Sequence, residues 1–438
     1  MNRREFNRTL AAGSLGATLL PPEFLFAAQE TRVNDARLMR HLEALAQFGK
    51  NPQGGVSRVG YSDPDRQGRE YVMGLMRSAQ LDVTIDVGGN ILGRRAGRQA
   101  GAPAIAFGSH IDSVPEGGNY DGTVGTLGAI EVAQTLAENR VTTQHPLLVT
   151  LWANEEQGLY GSRAVTTGLT ETELANPSRA AGKTIRDGIR FIGGDPDKLE
   201  AGRLEQADVA AYVELHIEQG GTLEVEKLDI GVVEGIVGIR QWEVTFAGFA
   251  NHAGTTPMNQ RQDALLSAAK FIEMVNRTVR SEPGRQVGTV GRIQAFPGAP
   301  NVIPGQVVAS LELRDLDAAK IVKLYDAIAA EAAKIADAGA TKVSFKPLHE
   351  NVPAPTDARI RAAIGETAGS LGFTSKVMPS GAGHDAQAVA RIAPVGMIFI
   401  PSVGGISHSP REFSHAKDIA NGANVLLRTL LALDRADY

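Results

Sequence analysis

Two apolar runs fix the kind of fold this chain can adopt. Ala104-Ile105-Ala106-Phe107 and Leu147-Leu148-Val149-Thr150-Leu151-Trp152 are continuous instead of alternating, and residues 124–139 between them read as a helix. Continuous apolar strands are covered on both faces, and strand-helix-strand order then builds an α/β sheet with helices on both sides. In such sheets ligands bind on the loops beyond the carboxyl ends of the strands.

Those loops carry the ionisable residues. The first run continues through Gly108-Ser109-His110-Ile111-Asp112-Ser113-Val114-Pro115 into a Gly-rich turn that ends Tyr120-Asp121-Gly122. The second leads into Ala153-Asn154-Glu155-Glu156; further on come Leu215-His216-Ile217-Glu218-Gln219-Gly220 and Glu412-Phe413-Ser414-His415. One imidazole after a strand is more often structural than a ligand, and adjacent glutamates usually open a solvated helix. Their joint placement at strand ends is what matters, because imidazoles and carboxylates gathered there are what a two-metal hydrolytic centre requires. Asp121 could give one oxygen to each of two ions.

Elsewhere, residues 36–48 and 65–80 have helical periodicity, and 83–87 and 90–94 read as strands around the Gly88-Gly89 turn. The stretch 233–353 follows a different rhythm: strands at 241–248, 286–295, 306–314 and 341–347, helices at 261–280 and 317–338. That β-α-β-β-α-β order is ferredoxin-like. Helices at 357–371 and 384–391 and a strand at 395–401 then resume the first pattern. The expected organisation is a discontinuous catalytic α/β domain, 31–232 and 354–438, interrupted by a smaller domain at 233–353.

A length of 438 residues agrees with two domains. The net charge of −5 gives no reason to expect nucleic acid or an anionic membrane as partner. With no cysteine, any metal must be held by nitrogen and oxygen donors. Residues 1–30 resemble a twin-arginine export signal, with Arg3-Arg4-Glu5-Phe6 ahead of a mild apolar stretch too short and interrupted to span a bilayer. Export of the folded protein to the periplasm or beyond is the expectation; a frayed cytoplasmic N-terminus is the alternative.

The segments quoted, joined by Asn251-His252-Ala253-Gly254-Thr255-Thr256-Pro257-Met258, Asn301-Val302-Ile303-Pro304-Gly305, Gly381-Ala382-Gly383-His384-Asp385-Ala386 and Ser407-His408-Ser409, form a set. It resembles the zinc aminoacylase and carboxypeptidase superfamily, and within it the branch of N-carbamoyl-L-amino-acid hydrolases and allantoate amidohydrolases. The resemblance runs from about residue 35 to the C-terminus. It implies two divalent metal ions per subunit, one held by His110, Asp121 and His216 and the other by Asp121, Glu156 and His415. Zinc suits such sets; manganese, cobalt and nickel also fit. Glu155 becomes the general base, and Asp112 the partner of the second N–H of His110. His252 would reach the neighbouring subunit's site as an oxyanion donor, which makes a homodimer and gives the inserted domain a lid and dimerisation role. Arg314 and Asn301 would clamp a substrate carboxylate, with Arg240 and Gln219 as further candidates. His384 and His408 would line the cleft, while His41, His145 and His349 have no motif context and read as surface or core residues.

The implied activity is hydrolysis of a small ureido acid, an N-carbamoyl-L-amino acid or a relative such as allantoate. A metallo-dipeptidase or aminoacylase of the same superfamily is the alternative, although His216 stands where peptidases often place a carboxylate. A non-catalytic binding protein would have no use for Glu155 beside a complete ligand set.

Overall fold

The computed structural model describes residues 31–435. The expected export segment lies outside the described residues. Six strands come first: β1 (Asp82–Ile85), β2 (Ile91–Arg95), β3 (Ala104–His110), β4 (Leu147–Trp152), β5 (Val209–Ile217) and β6 (Ile230–Ile236). The chain then runs through β7 (Gly238–Ala247), β8 (Asn251–His252), β9 (Val287–Thr289), β10 (Ile293–Phe296), β11 (Val302–Ile303), β12 (Gln306–Asp315) and β13 (Lys342–Asn351). It returns as β14 (Ala354–Pro355), β15 (Ser375–Ser380) and β16 (Val395–Ile400).

The larger sheet has nine strands in the order β1-β2-β4-β3-β5-β16-β6-β14, with β15 beside β6. Its centre, β4-β3-β5-β16, is parallel, and every residue of those four strands is buried. The flanks are mixed: β2 runs antiparallel to β4, and β6 antiparallel to β16. On one face the helices Thr123–Glu138 and Ala416–Leu433 join a core with Phe107, Val149, Val213 and Ile398. On the other, Trp152, Tyr212 and Phe399 pack with Val165, Ala386 and Val389 from two short helices. Fully burying one such aliphatic side chain stabilises the fold by about 1.5–3 kcal/mol, so apolar residues fill most of both faces, and the buried Glu214 of β5 is held by Ser109 Oγ (2.8 Å) and the Ala386 N–H (2.9 Å).

The second sheet is antiparallel in the order β10-β12-β7-β13, with β9 also on β12. The helices Ala264–Ser281 and Ala318–Ala338 cover one face, where Phe271 and Ile328 meet Val244, Phe246 and Leu311. Counting β9 and β10 as one strand gives the ferredoxin-like order expected. The strand expected at 286–295 is broken, and Ser310 Oγ accepts the N–H groups of Gly291 (3.2 Å) and Arg292 (3.0 Å) at the break.

One buried cation locks the edge of the larger sheet where the chemistry sits. Arg58 Nε donates to the Ile111 carbonyl (2.7 Å), and Nη1 donates to the carbonyls of Leu45 and Phe48 (both 2.9 Å). Those last carbonyls lie at the end of the helix Asp35–Leu45, where intrahelical donors run out. Ile111 separates His110 from Asp112, so the guanidinium fastens the turn after β3 to the body of the domain. Replacing Arg58 by Met would remove all three bonds and leave the carbonyls of Ile111 and Phe48 unpaired, while that of Leu45 keeps only the Phe48 N–H (3.1 Å). We expect a loss of about 2–4 kcal/mol in stability, read from urea unfolding.

Candidate metal centre

Three neighbouring parallel strands deliver their end residues to one spot. His110 closes β3 opposite Trp152 of β4, so the turn Ala153-Asn154-Glu155-Glu156 rises beside it. On the other side β5 carries His216, whose ring centroid lies 5.9 Å from that of His110. Asp121 enters from the loop after β3, just before the helix Thr123–Glu138. The left-handed Gly122 (φ 64°) is required there, since a Cβ would stand 2.4 Å from the His110 ring.

Asp121 organises the group. Its Oδ1 lies 3.5 Å from His110 Nε2 and 3.1 Å from His216 Nε2. Its Oδ2 lies 3.3 Å from His408 Nε2, which in turn is 3.5 Å from Glu156 Oε2. One buried carboxylate thus turns each oxygen to a separate donor set: His110–Asp121–His216 and Asp121–Glu156–His408.

The donors suit a cation. His110 Nδ1 bonds the Asp112 carbonyl (3.0 Å) and His216 Nδ1 the Ile217 carbonyl (2.9 Å). A carbonyl only accepts, so both rings donate Nδ1–H there and turn Nε2 toward Asp121. His110 Nε2 and Glu156 Oε1 are buried with no hydrogen-bond partner. Burial pushes Glu155 well above the ordinary carboxylate range and Glu156 up to about 7, the latter with help from Asp121. Burial also opposes charge on His110, yet Glu155, Asp121 and Asp112 outweigh it and hold that imidazole well above its usual value. The acids therefore draw positive charge into a dry pocket, which is the condition for binding divalent metal.

The third donor beside Asp121 and Glu156 is His408, and the expectation of His415 is corrected. His415 is exposed at the N-cap of the helix Ala416–Leu433, its ring against Phe413. His408 sits in the loop after β16 with φ of 53°, and its neighbour Ser407 donates to Asp121 Oδ2 (3.2 Å) and Glu412 Oε2 (2.8 Å). Glu412 Oε1 in turn accepts the N–H groups of Tyr120 (2.9 Å) and Asp121 (3.0 Å), tying the two loops together.

The other expected residues divide. Gln219 Nε2 donates to Asp121 Oδ2 (2.7 Å), and Gln219, Arg314 and Glu155 all line the metal pocket, a cavity of about 270 Å³. Asp112 holds His110 through its carbonyl; its carboxylate, 3.7 Å from the ring nitrogen, instead accepts the N–H groups of Glu155 (3.1 Å) and Glu156 (3.2 Å). Arg240 is not in the pocket: strand alternation puts Ile239 there, while Arg240 pairs with Glu350 on β13. Asn301 and His252 are exposed on the β8–β11 ribbon, away from the pocket lining, and Ala253 donates to the Asn301 carbonyl (3.0 Å). His384 and His349 both line the pocket, the first packed edge-on against His216 at 4.5 Å. His349 comes from β13, where sequence alone offered no motif to mark it.

The comparisons with known proteins give the family. The model of peptidase family M20/M25/M40 matches residues 106–432. The N-carbamoyl-L-amino acid amidohydrolase of Geobacillus stearothermophilus is 38% identical over 92% of this chain and 100% of its own length. The chain belongs to this family. The ureidoglycolate hydrolase of Arabidopsis thaliana is also 38% identical, over 93% of this chain and 88% of its own length. Among solved structures, a hydantoinase/carbamoylase family amidase from Burkholderia multivorans superposes with a TM-score of 0.87 at 36% identity, covering 93% of this chain and 100% of that one. The chain is accordingly a metal-dependent amidohydrolase of the hydantoinase/carbamoylase branch, acting on carbon–nitrogen bonds other than peptide bonds.

The correction at His408 is directly testable. His408→Ala should weaken divalent-metal binding about 10–100-fold or more, measured by competition with a chromophoric chelator, whereas His415→Ala should leave it at the wild-type value.

Proposed function

We propose that this chain hydrolyses the carbamoyl amide bond of an N-carbamoyl-L-amino acid or a related ureido acid such as allantoate, using two divalent ions, zinc or alternatively manganese, cobalt or nickel. The observation that carries this reading is Asp121, with its oxygens turned to two donor sets, in one cavity with Glu155 and Arg314. When bound, the ions supply Lewis acidity, polarising the carbamoyl carbonyl and acidifying water.

The remaining work falls to the chain. Glu155 takes a proton from the attacking water and passes it to the nitrogen of the breaking C–N bond. The free amino acid leaves, and the carbamic acid falls to carbon dioxide and ammonia. Arg314 offers a planar guanidinium to the substrate carboxylate; its Nε is held by Glu312 (2.7 Å) and its Nη1 by the Gly381 carbonyl (2.6 Å). A peptide-bond reading has no such favour: the relatives named for carbamoyl and ureido substrates cover nine-tenths of the chain.

His252 and Asn301 serve the partner subunit's site in this reading. His252 Nδ1 accepts the N–H groups of Gly254 (3.0 Å) and Thr255 (3.2 Å), so its Nε2–H points outward as a donor fit for an oxyanion. Phe249, Met258 and Leu266 are exposed around the ribbon and supply apolar area for a homodimer. Nucleic acid and membrane play no part in the proposed reaction, and export through the N-terminal segment belongs to the same proposal.

Glu155→Gln should keep its metal by elemental analysis and lose about 10²–10⁴-fold in kcat for ammonia release from N-carbamoyl-L-amino acids. Unchanged turnover would remove Glu155 from its role. Mixing inactive Glu155→Gln with His252→Ala subunits should restore roughly a quarter of wild-type activity. Random pairing makes half the dimers mixed, and each mixed dimer holds one complete site. No recovery on mixing would refute action across the dimer.

A further inference from the structure

Beside the metal pocket lies a cavity that the reaction just described does not use. It measures about 620 Å³ and shares Gln219, Ala382 and His408 with the pocket. A space of that size holds an organic molecule far larger than a carbamoyl group and a carboxylate. The partition between the two spaces is the smallest the alphabet allows, Gly381-Ala382-Gly383. A Cβ added at Gly381 would meet nothing within 4 Å. The carbonyl of Gly381 is also the group that Arg314 grips at 2.6 Å, so the carboxylate seat stands at the foot of the partition.

The far walls of the cavity are Thr222, Met378 and Pro379. Its two cations are already neutralised, Arg285 by Glu234 and Lys376 by Glu226. The Glu218 carboxylate is satisfied by the N–H groups of Thr222 and Leu223, both at 2.8 Å. The space therefore offers apolar surface and no unpaired charge to an entering group.

We propose that this cavity seats the α side chain of the substrate, and that the enzyme is built for N-carbamoyl amino acids with long, uncharged, mainly apolar side chains. The inference rests on the reading of the metal pocket as a ureido-acid site. Arg314 fixes the substrate carboxylate and the Asp121 cluster fixes the scissile bond. The α carbon between them lies beside Ala382, and its substituent crosses the low Gly381 partition into the larger space. Small or anionic ureido acids leave that space unfilled or unmatched.

The test compares kcat/KM of the zinc-reconstituted full chain on N-carbamoylglycine, N-carbamoyl-L-leucine and N-carbamoyl-L-aspartate. Leucine should exceed glycine by about tenfold or more, and aspartate should fall below leucine by a similar factor, as expected of an apolar pocket. Gly381→Leu fills the passage and should lower the leucine-to-glycine ratio by about tenfold. Met378→Ala removes wall atoms instead, should lower the same ratio, and keeps the test decisive if the first variant does not fold. Calorimetric affinities for the metal-loaded Glu155→Gln protein, which binds without turnover, should follow the same order. Turnover of N-carbamoylglycine with no gain for leucine, or a preference untouched by both variants, would overturn the side-chain seat and leave ureido hydrolysis standing. No turnover of any ureido acid would overturn the underlying reading instead.

Discussion

The structure turns on one buried carboxylate. An acid as enclosed as Asp121 is costly unless positive charge or donors meet every lone pair. Imidazoles at three sides hold it well below the ordinary carboxylate range despite burial, which acts the other way. Glu412 pins the two N–H groups at its base, and Gly122 lets the His110 ring approach at the start of the following helix. That helix N-terminus adds its own favourable field for a negative charge. Every other element of the centre can be described by which part of this demand it meets.

The local backbone shows where the fold bends to meet it. Asn154 before the glutamate pair, Gln219 after β5 and His408 after β16 all lie at positive φ, where non-glycine residues are uncommon. Such conformations cost on the order of 1–3 kcal/mol each and persist only where surrounding contacts fix them. Asn154 leads into Glu155, while Gln219 and His408 both reach Asp121 Oδ2. Sharp left-handed turns at three strand ends convert parallel strands, which point their side chains sideways, into a pocket whose donors converge.

How much of this could be read beforehand follows from the same geometry. The runs at 104–107 and 147–152 announce β3 and β4, because burial on both faces leaves no room for alternation, and the residues that end them follow directly. His110 and Glu156 could be placed at strand ends for that reason, whereas the expectation that Asp121 and His216 join them rested on the family resemblance. His408 was not separated from His415, since both follow the last buried strand within one loop and only tertiary placement decides which faces Asp121. The Gly404-Gly405 turn after β16, both residues at positive φ, was the available signal, repeating the glycine-rich turn after β3. Arg240 failed on register: a shift of one residue along β7 exchanges it for Ile239. His349 was invisible because its role comes from pairing β13 beside β7, a contact between strands about a hundred residues apart in sequence.

The inserted sheet earns its place through its two crossings. The chain leaves the larger sheet between β6 and β7 and returns between β13 and β14. The ladder continues across the gap, with Ile239 paired to Asn351 on one side and Ile236 to Ala354 on the other. Gly238 is needed where the crossings touch, as a Cβ there would lie 2.5 Å from the Pro353 ring. Both connections thus pass through one narrow ribbon, so the smaller sheet is placed over the metal pocket by a single two-stranded stem. From that stem β7, β12 and β13 extend Ile239, Arg314, His349 and Asn351 into the cavity. The candidate metal donors come from the larger sheet's strand ends and loops, and Arg314, His349 and Asn351 face them from the smaller sheet. Substitutions on β7, β12 or β13 therefore change the wall that faces Asp121 while leaving its donor set in the larger sheet intact.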